Sequence, residues 1–146
     1  LADSTFDRDL YDHNADYIDR FAKVSHLVSL PEAELLPPGK GQPITLGDVK
    51  VTPDLQLRFR RLTKTNKVKI GAATLRYAKG TSLKPEVAEW QSAFLLGYLN
   101  LVEADTDAEP ERKLCLTIDA YAGVAYPAPT DSVTRFKNME AACFAI

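Results

Sequence analysis

The sequence has little cysteine, no long apolar run and no signal peptide. Its two cysteines, Cys115 and Cys143, are too few for a disulfide framework and do not have the spacing of a zinc site. Both lie in apolar segments, which predicts buried thiols in a reducing, cytoplasmic compartment. No apolar run reaches the roughly 18 residues that a membrane-spanning helix needs, so no membrane partner is expected. A charged, apolar leader with a small-residue cleavage site is also missing at the start.

Catalytic motifs are missing as well. The sequence has no GxSxG nucleophile motif, no Walker A loop and no GxGxxG dinucleotide motif. No serine or cysteine has a histidine at a recognisable motif spacing. We therefore predict no cofactor, and we expect a domain that is non-catalytic or catalytically degenerate.

Size and composition are those of one globular domain. The chain has 146 residues, 45% hydrophobic and 26% charged, which is ordinary for a folded domain and enough to build a core. We expect a single α/β domain over residues 1–146. Because the chain starts at Leu1 and stops at Ile146 within an apolar pattern, we also expect it to be a processed or trimmed piece of a longer protein.

Apolar periodicity predicts helices and strands in the order α–β–β–β–α–β–α. Helices are expected over residues 4–29, 84–104 and from 131 onwards, and strands over 44–51, 55–60, 67–77, 114–119 and 124–126. Prolines and glycines at 30–43 and acids at 105–112 predict loops. The apolar phase shifts at Gly71, which predicts a β-bulge or a strand buried on both faces.

This order of elements predicts an α/β to α+β fold. It consists of a helix, a three-strand meander, a crossover helix, a further strand and a C-terminal helix, with the helices flanking a mixed sheet. The helix over residues 84–104 is apolar on nearly all of its surface, so it is buried against the sheet or a partner. One alternative function is therefore a protein-interaction or homodimerisation module that uses Leu95 and Leu99 of this helix.

Positive charge is concentrated in one segment. Residues 55–84 contain nine Lys or Arg and no Asp or Glu, whereas the rest of the chain has nine basic and twenty acidic residues. Residues 63–66, in the middle of this segment, have the composition of a hairpin turn. We therefore predict a basic β-hairpin.

Pairing the two strands of this basic hairpin around its turn sets Phe59 opposite Ile70 and Arg60 opposite Lys69. Directly opposed like charges cost stability. One interpretation is a solvated outer face that protects a sheet edge or is neutralised by acids elsewhere. The other is an anion site, in which arginines contact the phosphates of DNA or RNA. The contact residues predicted for that site are Arg58, Arg60, Lys67, Lys69 and Arg76.

The element order resembles the core of the PD-(D/E)xK, restriction-endonuclease-like nucleases over about residues 4–119. In that family an acid on one strand and an acid-x-Lys on the next bind a divalent metal and activate water. Pro53 and Asp54 match the first part of that motif, but no Asp or Glu follows until Glu86. The resemblance therefore implies a degenerate member that does not cleave DNA.

A second alternative is a metal-dependent hydrolase or nuclease that uses Asp54 and Asp119. Asp119 ends a strand that reads as buried, where α/β folds place ligand-binding acids. Glu86 or Glu89 would complete a carboxylate set for Mg²⁺ or Mn²⁺. The competing interpretation is that Asp119 is an ordinary turn residue.

One further grouping surrounds His13, which has Asp9 and Asp16 within one helical turn. It suits an acid–base or metal cluster, or a surface histidine that is paired with acids.

Overall fold

The computed structural model describes residues 32–36, 39–76, 80–103 and 106–145. The first predicted helix, over residues 4–29, lies outside this part of the chain, and so does the grouping of His13, Asp9 and Asp16.

The described residues form short strands first and then alternate between longer strands and helices. The strands are β1 (Glu34–Leu36), β2 (Gly39–Lys40), β3 (Ile44–Leu46), β4 (Val49–Val51), β5 (Asp54–Leu55), β6 (Leu57–Leu62), β7 (Val68–Arg76), β8 (Glu109–Asp119) and β9 (Val124–Pro127). The helices are α1 (Pro85–Val102) and α2 (Ser132–Phe144). Neither of these two helices combines the length and apolar character that crossing a membrane requires.

A mixed sheet organises the fold. Five strands are hydrogen-bonded in the order β1-β6-β7-β8-β9, while β2 with β5 and β3 with β4 form two small ribbons. The central pair, β7 and β8, is parallel and the other neighbours are antiparallel. Helix α1 connects the parallel pair, because parallel neighbours need a long crossover. The prediction of a mixed sheet flanked by helices, with a crossover helix, is confirmed.

Helix α1 packs on one face of the sheet, where β7 and β8 present small side chains. Ala72 and Cys115 are fully buried there in one cluster with Leu95, Tyr98 and Leu99. Burying one leucine side chain stabilises the fold by roughly 1.5–3 kcal/mol. Leu95 and Leu99 are thus core residues of this domain, while a homodimer or partner contact through this helix stays a prediction.

One predicted strand is wrong. Residues 44–51 form the hairpin of β3 and β4, with Leu46 paired to Val49. Gly47 has a φ of 58°, the left-handed value that the first position of a type II′ turn needs. A Cβ on Gly47 would lie 2.7 Å from the backbone nitrogen of Phe144, so the end of α2 packs directly on this turn.

Two segments that were predicted as loops contain strands. The proline-rich segment contributes β1 and β2, which are only three and two residues long because proline cannot supply ladder donors. The acidic segment 105–112 contributes the first residues of β8 from Glu109 onwards. Its acids therefore lie in the sheet, beside the basic hairpin.

The register predicted for the basic hairpin is wrong by one residue. Phe59 pairs with Gly71, and Arg61, in place of Arg60, pairs with Lys69. The cause is Asn66, whose φ of 62° adds a left-handed residue to the turn. Residues 64–66 form a three-residue hairpin loop, in which a tight turn is followed by a left-handed bulge residue, Asn66. The extra loop residue moves every cross-strand pair by one position.

For the phase shift at Gly71 the sequence offers two explanations, a β-bulge or a strand buried on both faces. The β7–β8 register shifts between Ile70 and Ala72, where β8 contains extra residues. Gly71, Ala72 and Ala73 are all buried, so the middle of β7 is covered on both faces. The alternative of a strand buried on both faces is confirmed, whereas the irregularity lies in β8, because the β6–β7 ladder runs through Gly71 without a shift.

Candidate binding site

An apolar cavity of about 510 Å³ lies between β5, the end of β7, and the two helices. Its size falls within the roughly 300–1,000 Å³ that is typical of small-molecule sites. Most of its lining is apolar, and a few polar side chains project into the same space. The lining residues are Pro53, Asp54, Gln56, Thr74, Leu75, Arg76, Val87, Trp90, Gln91, Phe94, Leu95 and Met139.

The cavity exists because the chain bends at Gln56. Beyond the pair Leu57–Ala73 the ladder between β6 and β7 stops, and Leu55 pairs with Gly39 in the separate ribbon. The backbone N–H of Leu75, which would have bonded to β5, donates instead to the side-chain oxygen of Gln56. The hydrogen-bonding capacity of the Leu75 N–H at the end of β7 is thus satisfied without a strand on that side. A gap therefore opens above α1.

Two charged side chains line this gap. Arg76 ends β7 and Asp54 begins β5, and both are exposed to solvent. Within the described ranges, neither of them forms an ion pair. Among the described residues no opposite charge occupies either group, and an arginine is well suited to a bidentate contact with a carboxylate or phosphate.

The cavity wall formed by Trp90 is held by a cluster of charged residues from α2. The guanidinium carbon of Arg135 lies 5.0 Å from the centroid of the Trp90 ring, within cation–π range. Its Nε donates to Asp131 Oδ1 at 2.9 Å and its Nη2 donates to Glu89 Oε2 at 3.3 Å. Glu89, named above as a metal candidate, therefore ties α1 to α2.

Asp119 is buried and its carboxylate is occupied by backbone donors. Oδ2 accepts from the N–H of Leu83 at 2.7 Å, and Oδ1 accepts from Tyr121 and Ala122 at 3.0 Å each. Asp119 does not line the cavity to which Asp54 belongs. Its observed contacts are those of a structural carboxylate that joins the end of β8 to the loop before α1.

The structure shows no metal-binding cluster in the part of the chain that it describes. No group of three or more His, Cys, Asp or Glu side chains is placed to hold an ion there. Glu86 lies exposed in the first turn of α1 and is not part of the cavity lining. The acids Asp54, Asp119 and Glu86 are therefore not brought together as the hydrolase alternative requires.

The five cations predicted to contact nucleic acid do not share one surface. In the observed pairing Arg58 and Arg60 point to the same side as Ala72, which is the α1 side, as does Arg76. Lys69 alternates to the opposite side. Lys67 belongs to the turn, where its backbone pairs with Thr63.

Acids of the chain itself neutralise part of the hairpin. Lys69 Nζ lies 2.8 Å from Glu109 Oε2, and Arg61 pairs with Glu111, so two acids of β8 meet two cations of the hairpin. Arg60 Nη1 lies 3.5 Å from Glu34 Oε2, across the β1–β6 pair. Neutralisation by acids of the chain is thus realised for these three cations, although they lie on two faces of the hairpin, while Arg58 and Arg76 form no ion pair in the described residues.

The Lys69–Glu109 pair predicts a pH-dependent contribution to stability. Its hydrogen bond and charge lower the pKa of Glu109 below its ordinary value of 4.5. A depressed carboxyl pKa stabilises the fold above the unfolded-state pKa, and this stabilisation is lost as the pH falls through the lower, folded-state value. Glu109→Gln is therefore expected to lower the urea midpoint at pH 7, and the difference from the parent protein is expected to shrink as the pH falls below the ordinary carboxyl pKa and through the lowered pKa of Glu109.

The matched control for this titration is Asp107→Asn, at an exposed position nearby. It is expected to leave the midpoint unchanged between pH 3 and pH 7. A Glu109→Gln difference that persists unchanged at pH 3 would contradict the assignment.

The two cysteines differ in their surroundings. Cys115 is buried in the middle of β8, and burial raises the pKa of its thiol to about 12. Cys143 is partly exposed on α2. The prediction of a buried thiol is confirmed for Cys115 alone, and a thiol with so high a pKa is not a nucleophile at neutral pH.

Sequence reasoning named two of the cavity's polar residues and missed its apolar wall. Arg76 and Asp54 were candidates for other roles, whereas Trp90 and Phe94 read as ordinary core residues because they lie at helical spacing. A usable signal was present in the exposed stripe of α1 that contains Val87 and Gln91, since these two residues flank the only tryptophan of the chain.

No family model, curated protein or solved structure matches this chain.

Proposed function

We propose that this protein is a non-catalytic binding domain for a small organic acid with an apolar body. The observation that carries the proposal is the 510 Å³ cavity, whose lining combines apolar side chains with Arg76, which has no ion-pair partner in the described part of the chain. An apolar pocket with a few polar groups is the usual form of a small-molecule site. The arginine orients the acid and the apolar wall supplies the affinity.

The basic segment predicts an acidic partner, and this proposal replaces nucleic acid with a small organic acid as that partner. A polyanion would need a continuous row of free cations, and Arg60, Arg61 and Lys69 are each within reach of an acid of the chain. A small acid needs one free arginine beside an apolar surface. DNA or RNA binding is the competing hypothesis, and its dependence on salt distinguishes it from binding of a small acid.

The test uses Trp90 as its reporter, because it is the only tryptophan in the sequence and lines the cavity. 3-Phenylpropionate, which does not absorb where tryptophan is excited selectively, is titrated while Trp90 fluorescence is followed. We expect a saturable change with a Kd on the order of 1 mM, as suits a ligand of this size. Arg76→Gln is expected to weaken binding about fivefold, the upper end for an exposed charge pair.

Arg58→Gln is the matched control. Arg58 is likewise an exposed arginine on the α1 side of the sheet without an ion pair among the residues that the structure describes, but it does not line the cavity. The control is expected to bind 3-phenylpropionate like the parent protein. The proposal fails if no saturable change occurs, or if both substitutions have the same effect.

A parallel titration with a single-stranded oligonucleotide separates the two acidic partners. Binding to a polyanion falls steeply with salt because counterions are released. We expect no such binding at low salt. A salt-dependent affinity that is weakened by Arg58→Gln would favour the nucleic-acid interface instead.

A further inference from the structure

The cavity contains a negative charge as well as a positive one. Asp54 and Arg76 both line it, both are solvent-exposed, and neither is paired within the described residues. A ligand with only an acidic group would meet Arg76 favourably but would leave Asp54 facing a like charge. The charges of the cavity are therefore complementary to a ligand that carries both signs.

Asp54 and Arg76 line the same cavity from two strands that diverge at its edge. Ladder pairs between β6 and β7 run from Leu62–Val68 to Leu57–Ala73. Three further steps in the same register would set Asp54 directly opposite Arg76. The bend at Gln56 opens the ladder before that point, so the two charges lie on adjoining walls of one gap and form no ion pair with each other.

The rest of the lining selects an apolar body. Val87, Trp90, Phe94, Leu95 and Met139 come from the two helices and provide aliphatic and aromatic surface. Apolar contact area contributes roughly 25 cal/mol per Å² that is removed from water. The wall thus favours a hydrophobic side chain and does not offer a second set of charges to a longer polar molecule.

From this arrangement we infer that the ligand is a zwitterion of the amino-acid type with an apolar side chain. Its carboxylate pairs with Arg76, its ammonium pairs with Asp54, and its side chain packs against the wall that contains Trp90. The inference rests on the proposed function, because it specifies the ligand of that same cavity. It assigns to Asp54 the recognition of an amine, in place of a metal.

Three probes with one apolar body test the inference. L-Phenylalanine carries both charges, 3-phenylpropionate lacks the ammonium, and phenethylamine lacks the carboxylate. Each is titrated against Trp90 fluorescence in the parent protein and in Asp54→Asn. In the parent protein L-phenylalanine is expected to bind about three- to fivefold more tightly than either of the other probes, as for an additional exposed charge pair.

Asp54→Asn is expected to abolish the preference for L-phenylalanine over 3-phenylpropionate. The ratio of the two affinities is the decisive measurement, because a change in protein stability alters both affinities together. Asp48→Asn is the matched control, at an exposed turn position away from the cavity, and it is expected to keep the preference.

The outcomes separate the two claims. If 3-phenylpropionate binds as well as L-phenylalanine, or if Asp54→Asn leaves their ratio unchanged, the zwitterion inference is overturned and the small-acid function remains. If none of the three probes binds, the proposed function is overturned together with the inference. A preference that disappears in Asp54→Asn and persists in Asp48→Asn supports both.

Discussion

Replacing Asp119 with alanine is expected to lower the free energy of unfolding by about 3–5 kcal/mol. Its carboxylate is 1% exposed and accepts three backbone N–H bonds, from Leu83, Tyr121 and Ala122. Alanine leaves the buried N–H of Leu83 without its acceptor and removes the acceptor of two part-buried N–H groups. Each buried group left unsatisfied costs about 1–3 kcal/mol, and only part of that cost is recovered if water enters.

Urea denaturation followed by circular dichroism measures this loss. Asp119→Asn is expected to cost less, about 2 kcal/mol, because one side-chain oxygen remains while the amide nitrogen faces an N–H. Asp107→Ala is the control at an exposed site and is expected to change stability by less than about 0.5 kcal/mol. If Asp119→Ala is as stable as this control, the structural role of the carboxylate is refuted.

The same substitution is expected to weaken ligand binding. Leu83 lies just before α1, and its bond to Asp119 attaches the start of that helix to the end of β8. Val87 and Trp90, two residues of the cavity wall, lie in the first turns of α1. Loosening the loop therefore disturbs the wall even though Asp119 itself does not line the cavity.

Gly71→Ala is expected to destabilise the protein by about 3 kcal/mol or more, or to prevent folding. An added Cβ would lie 2.1 Å from the carbonyl oxygen and 2.3 Å from the Cβ of Leu114. These atoms belong to β8 at the register shift, so no side-chain rotation relieves the overlap. The parallel pairing of β7 and β8 would have to separate locally to accommodate the methyl group.

Gly80→Ala provides the contrast. A Cβ on Gly80 would meet nothing within 4 Å, and only its φ of 81° opposes a side chain. The expected cost is about 1 kcal/mol, from backbone conformation alone. Thermal unfolding of the two variants side by side checks the difference. Equal midpoints would show that Gly71 does not mark a close approach of strands.

The elements of the fold were predictable where local signals are strong. Pro85 begins α1, as expected for a residue without an N–H in the first helical turn, and α2 starts within one residue of its predicted position. Gly71 interrupts the apolar phase of β7, which indicated a bulge or burial on both faces, and the burial is present. These features depend on residues that are close together in the chain.

Features that depend on a single dihedral angle or on distant pairing were not predictable. The left-handed Asn66 shifts the hairpin register by one residue, and Asn adopts that conformation without a distinct sequence motif. Glu109 and Pro110 read as part of a loop, because Glu109 belongs to a run of acids and Pro110 has no backbone N–H to donate to a strand. They join a strand only because β7 provides a parallel neighbour about forty residues earlier.

The charged residues of the candidate site were predictable from the sequence, whereas the cavity between them, which depends on distant packing, was not. Arg76 and Asp54 attract attention as charges at strand ends, so each was named. The cavity between them arises from the bend at Gln56 and from α2 packing over α1 through Phe136 and Gly97. A gap between elements leaves no periodic signal in the sequence, and Trp90 therefore resembled any other core aromatic.

The charge pairs between the basic hairpin and β8 also bear on the order of folding. A hairpin closes within about 1–10 μs, whereas a parallel neighbour must wait for a long loop to close. Arg61 and Lys69 are thus brought together first and repel each other until Glu109 and Glu111 arrive. This repulsion favours docking of the acidic start of β8, whose glutamates neutralise the two cations. A slip of one residue would turn those glutamates to the opposite face, so the charges select the alignment in which β8 docks.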